Sequence, residues 1–96
     1  MAKQHSKSIV QDEKECYLTH VKYDLVRHHL MNGNAERKKA EQDGLWVWLN
    51  DSVHKYLHDT HEGRMKMYEL KAIAQEAYEE KHSHAEWMRR YGKNYV

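Results

Sequence analysis

The adjacent pair His28-His29, at the end of a strand-like run, is followed by His54, His58 and His61 on a helical segment and its exit. Neutral imidazole nitrogen binds Zn, Ni and Mn and titrates near pH 7, so one imidazole pair facing a second cluster offers both ligands for a divalent cation and a base. Hydrolysis of a phosphodiester needs those parts: an in-line nucleophile, a base to generate it, and a cation to offset charge on the phosphoryl and leaving oxygens. The chemistry this opens is metal-dependent cleavage of nucleic acid. Neighbouring residues in a strand point to opposite faces, so His28 and His29 suit separate tasks, one holding metal and the other activating water.

Those side chains need elements to hold them. Leu25 to Leu30 alternates as a strand, and Leu45-Trp46-Val47-Trp48-Leu49 is a second run rich in aromatic and branched residues. Met31 to Gly44 reads as a polar loop, with Asn32-Gly33-Asn34 as its turn signal and Arg37, Lys38 and Lys39 as a basic cluster able to approach a phosphate backbone. Asn50 or Asp51 caps a short helix in which Val53, Tyr56 and Leu57 recur at helical spacing. His54, His58 and His61 share one face of it if it runs on to Gly63, which ends it. A longer helix from about Met65 to Lys81 buries Leu70, Ile73, Ala74, Ala77 and Tyr78. Ser83 with Glu86 fits a capping box that opens a last short helix carrying Ala85, Trp87, Met88 and Tyr91 and stopping near Gly92.

Bulk properties bound the reading. A chain of 96 residues has room for one small core, and three Trp, seven Tyr and five Met help fill it. Residues 1–14 are polar and aperiodic, a flexible arm, and residues 15–96 form one domain. With 16 Lys+Arg against 15 Asp+Glu, the formal charge of +1 neither demands nor excludes a nucleic-acid partner. The single Cys excludes an internal disulfide and any all-cysteine zinc knuckle. No run is apolar beyond Leu45 to Leu49, so neither a signal peptide nor a membrane span is expected, and the protein is expected to be intracellular.

Strand, loop, strand, short helix, with histidines on the first strand and on the helix, resembles the ββα-metal fold of the HNH endonucleases, and most closely the small HNH-type proteins of phage genomes. The resemblance runs from Glu15 to the C-terminus through Cys16-Tyr17-Leu18, His28-His29-Leu30, Gly33-Asn34-Ala35-Glu36-Arg37, Gly44-Leu45-Trp46-Val47-Trp48-Leu49, His54, His61 and Tyr91-Gly92-Lys93-Asn94-Tyr95. It implies an α+β fold with a small ββα core and additional C-terminal helices. It also implies a DNA endonuclease using one divalent ion (Mg, Mn, Ni or Zn), with His29 as general base, His28 as catalytic residue and ligand, and His54 and His61 as further metal positions. Arg37, Lys38 and Lys39 would meet the DNA. A phage protein working in a bacterial cytoplasm, able to pair as a homodimer to cut both strands, follows from the same likeness.

The departures matter as much. Such proteins usually brace the fold with a structural zinc, but here Cys16 stands with Thr19, Asn50 and Val53 at the remaining ligand positions, so the usual zinc site is not expected. Cys16-x-x-x-His20 with His54-x-x-x-His58 offers a substitute ligand set, at the cost of withdrawing His54 from the active site. Two other classes of function stay open. A nuclease-derived phage protein that has lost turnover could bind and inhibit a host DNA-processing or defence nuclease, and a small packaging protein could dock its C-terminal helices on a partner. Bland roles compete at each position: His28 as a hydrogen-bonded core residue, His58, His82 and His84 as solvated side chains, Arg37 paired with Asp43 or Glu36, and the strand tryptophans as core.

Overall fold

The computed structural model describes residues 7–96, in the order β1 (Leu25–His29), α1 (Asn34–Asp43), β2 (Trp46–Asn50), α2 (Asp51–Asp59), α3 (His61–Glu79) and α4 (His84–Tyr91). It is a small α+β domain with a ββα core and additional C-terminal helices, the fold class the sequence implies. The strands pair antiparallel, with Leu25 opposite Asn50, His28 opposite Val47 and His29 opposite Trp46. Period-two alternation then assigns the faces. Val26 and His28 share one face with Val47 and Leu49, whereas Arg27 and His29 share the other with Trp46 and Trp48. The continuous core is built from Cys16, Leu30, Leu45, Val47, Leu49, Leu57, Leu70, Ala74 and Trp87, joined by Tyr78 and Tyr91.

The segment from Met31 to Gly44 is not a loop: Asn34–Asp43 is helical, and its three basic residues ride on α1. Ala40 is the one buried residue of this helix, so it lacks the apolar stripe that would announce it. Polar contacts hold it instead. Glu41 accepts from Arg27 Nη2 at 2.8 Å and lies 2.8 Å from His29 Nε2, while Asp43 accepts from Arg90 Nε at 2.6 Å and from the Tyr91 hydroxyl. Gly44 closes α1 in the left-handed conformation, φ 74°, and a Cβ there would lie 2.3 Å from the Lys7 carbonyl oxygen. Only glycine fits both demands.

Of the arm expected over residues 1–14, residues 1–6 lie outside the described residues. Residues 8–11 run beside β2: the Ser8 hydroxyl donates to Trp46 O, Ile9 N–H to Gly44 O at 2.9 Å, and Trp48 N–H to Gln11 Oε1 at 2.8 Å. Backbone groups that a sheet edge leaves open are satisfied in this way. Among the described residues, no helix is long and apolar enough to cross a membrane.

Asn50 starts α2 with its side chain, accepting from Ser52 N–H at 3.0 Å while its Nδ2 donates to Tyr23 O at 3.0 Å. The helix ends at Asp59, short of Gly63. Thr60 both closes α2 and opens α3, its hydroxyl donating to Tyr56 O at 2.8 Å and accepting from Gly63 N–H at 2.9 Å. Gly63 therefore lies inside the first turn of α3, and His61 begins α3 rather than extending the face of α2. At the other end, Ser83 and Glu86 form the reciprocal capping box.

Candidate metal centre

The buried face of β1 and one face of α2 meet at three imidazoles. His28 is 4% exposed, and its ring centroid lies 5.4 Å from that of His54 and 5.9 Å from that of His58. His54 and His58 are one helical turn apart, with centroids at 4.6 Å. One nitrogen from each ring can be chosen so that all three lie within 4.8 Å of one another, and among the described residues this is the group of His, Cys, Asp and Glu side chains so arranged. Nitrogens sharing a tetrahedral Zn at about 2.0–2.1 Å stand roughly 3.3 Å apart, so rotamer adjustment of under two ångströms closes the set.

Electrostatics prepare these rings as ligands. Burial, then the neighbouring His54, His58 and His29 and the Lys71 ammonium, push His28 down to about 3. Burial and His58 hold His54 below its ordinary value, against a smaller opposing pull from Asp51. His28 is thus neutral at pH 7 with a lone pair that no proton occupies, the form a cation needs.

A cavity of about 170 Å³ opens onto the triad, and His29, Arg27, Asn32 and Arg37 also line it. His29 turns its Nε2 to Glu41 Oε1 at 2.8 Å. A carboxylate only accepts, so Nε2 carries the proton and the lone pair of neutral His29 is on Nδ1. Arg27 stacks on Trp46, its guanidinium carbon 3.8 Å from the ring centroid, and its second contact with Glu41 fixes that carboxylate.

The residues singled out in the sequence therefore divide. His28 and His54 come together; His61, exposed at the start of α3, does not join them. Arg37 reaches the cavity, and among the described residues no carboxylate pairs with it, because Glu36 takes Lys39 at 3.5 Å and Asp43 takes Arg90. Lys39 donates to Arg90 O at 2.8 Å, tying α1 to α4, and Lys38 is exposed away from the cavity lining. His58 is the member of the triad that sequence reasoning leaves in solvent. Its signal is the i, i+4 spacing from His54, which puts both rings on one face of α2.

Cys16 is fully buried. Burial raises its thiol, but the Asn50 N–H, the Thr19 hydroxyl, and the Thr19 and Leu18 N–H groups donate to the sulfur and together bring it below the ordinary value. Positions 16, 19 and 50 thus meet at one sulfur through hydrogen bonds. The substitute zinc set does not assemble, since His20 turns to Glu15 at the surface and His54 and His58 turn to His28. Comparison of the chain with protein-family models, with curated proteins and with solved structures finds no match in any of the three.

Proposed function

We propose that this protein is a metal-dependent DNA endonuclease whose ion is held by His28, His54 and His58. The observation that carries this reading is the convergence of a buried, neutral His28 with two helix-borne imidazoles in a cavity that Arg37 and His29 also line. The donor set fits a first-row ion: three neutral imidazoles suit Zn, Ni or Mn, whereas Mg prefers carboxylate and water oxygens. Such an ion, when bound, offsets negative charge on the phosphoryl and leaving oxygens, and three neutral ligands leave its charge uncompensated for that purpose.

The chain's own groups do the rest. His29, oriented by Glu41, presents Nδ1 to accept the proton of the attacking water. Arg37 holds a neighbouring phosphate through its planar fork. The likeness to small phage HNH proteins extends this reading to DNA in a bacterial cytoplasm as the substrate. Supercoiled plasmid and single-stranded DNA incubated with protein in EDTA, Mg, Mn, Ni and Zn, beside His29→Ala, test it. Nicking with a first-row ion, absent in EDTA and lost in the variant, is the expected result. A folded protein that binds the ion and cuts neither substrate overturns catalysis and leaves a binding role.

A further inference from the structure

Outside the triad, two lysines and two tyrosines form a cluster for which the metal centre has no use. Tyr68 and Lys71 stand on α3 and Lys93 and Tyr95 on the tail beyond α4. The two rings lie 6.4 Å apart, and each ammonium is near both: Lys71 Nζ is 5.5 Å from the Tyr68 centroid and 5.6 Å from that of Tyr95, and Lys93 Nζ is 5.6 Å and 5.5 Å away.

Like charges held together raise each other's energy. The aromatic faces relieve part of this, and among the described residues no carboxylate forms an ion pair with either lysine. Lys71 feels Lys93 as a neighbour, and His28 feels Lys71, so the cluster lies within electrostatic reach of the triad.

The arrangement is built rather than incidental. Gln75, fully buried on α3, uses both ends of its amide on the tail: Nε2 donates to Asn94 Oδ1 at 2.7 Å, and Oε1 accepts from Tyr95 N–H at 2.7 Å. Trp87, also fully buried, donates from its indole nitrogen to Lys93 O at 2.8 Å. Three hydrogen bonds to core side chains thus fix a non-helical stretch that sets exposed Lys93 and half-buried Tyr95 against Lys71 and Tyr68. A preset pair of cations costs an anion little ordering when it binds.

We propose that Lys71, Lys93, Tyr68 and Tyr95 form a subsite for a backbone phosphodiester of DNA. Two ammonium groups match the single charge and multiple acceptor oxygens of a phosphodiester, and the tyrosine hydroxyls add donors. Contacts of this kind set register without reading bases. The proposal rests on the reading of the protein as acting on DNA, but it makes a claim about binding that needs neither metal nor turnover.

The test is fluorescence anisotropy of labelled duplex and single-stranded oligonucleotides in EDTA, over a range of KCl, with wild type, Lys71→Gln/Lys93→Gln and Lys71→Arg/Lys93→Arg. Zn affinity of each protein is measured in parallel. Loss of this one phosphate contact lowers duplex affinity by roughly five- to tenfold and flattens the slope of log K against log salt by about 0.9, or by about 0.7 for single strands. The arginine variant keeps both, and every variant still binds Zn. Equal affinity and slope in wild type and the glutamine variant overturn the subsite, as does a wild type that binds neither oligonucleotide. Patch-dependent DNA binding without cleavage in any metal supports the subsite while overturning the endonuclease reading.

Discussion

His29 Nε2 lies 2.8 Å from Glu41 Oε1, so the second of two adjacent histidines lines the triad cavity while a carboxylate on α1 holds its ring. The pairing selects the tautomer with a basic Nδ1. Removing the imidazole in His29→Ala should lower the cleavage rate by about 10²–10⁴-fold at saturating metal. Glu41→Gln keeps an acceptor but loses the charge, so a smaller loss, roughly tenfold, is expected. Steady-state nicking rates beside calorimetric metal titrations check this, because metal affinity should hold in both variants. An unimpaired His29→Ala would remove this residue from the mechanism.

Arg37 and Lys39 neighbour one another on α1 but have different surroundings. Arg37 lines the triad cavity, while Lys39 donates to Arg90 O and approaches Glu36. Arg37→Ala should weaken DNA binding by roughly five- to tenfold with unchanged stability, as loss of one phosphate contact would. Lys39→Ala should instead cost about 1 kcal/mol of stability with DNA affinity nearly intact. Urea melts and anisotropy on the same two proteins separate the roles; a reversed pattern would make Lys39 the phosphate contact and Arg37 the structural one.

Metal binding tests the composition of the triad directly. His28→Ala, His54→Ala and His58→Ala should each weaken Zn or Ni binding by about 100-fold or more, and His61→Ala should leave it unchanged. The ion should also raise wild-type stability by about 2.7 kcal/mol at a hundred times its Kd, an increment that EDTA removes. Calorimetric titration decides the matter: unaltered affinity in His58→Ala together with a loss in His61→Ala would exchange the two positions.

How much of this was legible in the sequence follows from what each element is made of. Both strands and the capping box at Ser83 show themselves because branched and aromatic residues concentrate in the runs at 25–30 and 45–49 and because Ser83 and Glu86 occupy the required positions. The fold class follows from their order. Helix α1 does not show itself: with Ala40 its one buried residue, it depends on long-range partners of Glu41 and Asp43 that no local pattern announces. The break at Thr60 is hidden for a different reason. A threonine that caps two helices at once resembles an ordinary helical residue, so Gly63 was the more visible stop. That displacement misplaces His61 onto α2. The role of His58 is hidden in the sequence because only the tertiary approach of β1 gives the His54/His58 pair a third ring to face.

Acid should unsettle the fold through His28. In the unfolded chain this imidazole titrates near about 6.5, while the fold holds it at about 3. Above the unfolded value both states are neutral, so the residue adds no pH dependence. Between the two values the unfolded state binds more protons, and stability falls as pH falls, by up to about 1.4 kcal/mol per pH unit. From pH 7 to pH 5 the loss attributable to His28 is about 2 kcal/mol. Urea midpoints at the two pH values, for wild type and His28→Leu without metal, measure it. The variant should lose less stability than wild type over that interval, and an identical loss would mean that His28 is not held neutral.

Gly63 offers a mechanical test of how the helices position the site. A Cβ at this position would lie 2.2 Å from Tyr56 O and 2.6 Å from Leu57 Cα, both backbone atoms of α2. Flexible side chains cannot absorb that overlap, so Gly63→Ala must part the first turn of α3 from the last turns of α2. A stability loss of about 3 kcal/mol or more is expected in urea melts. The strain falls beside His58 and one turn from His54, so Zn affinity should fall as well, although no ligand has been changed. Met65→Ala, at a site 57% exposed two residues further on, should alter neither measurement. Wild-type Zn affinity in a destabilised but folded Gly63→Ala would mean that the α2–α3 contact supports the fold without setting the spacing of the ligands.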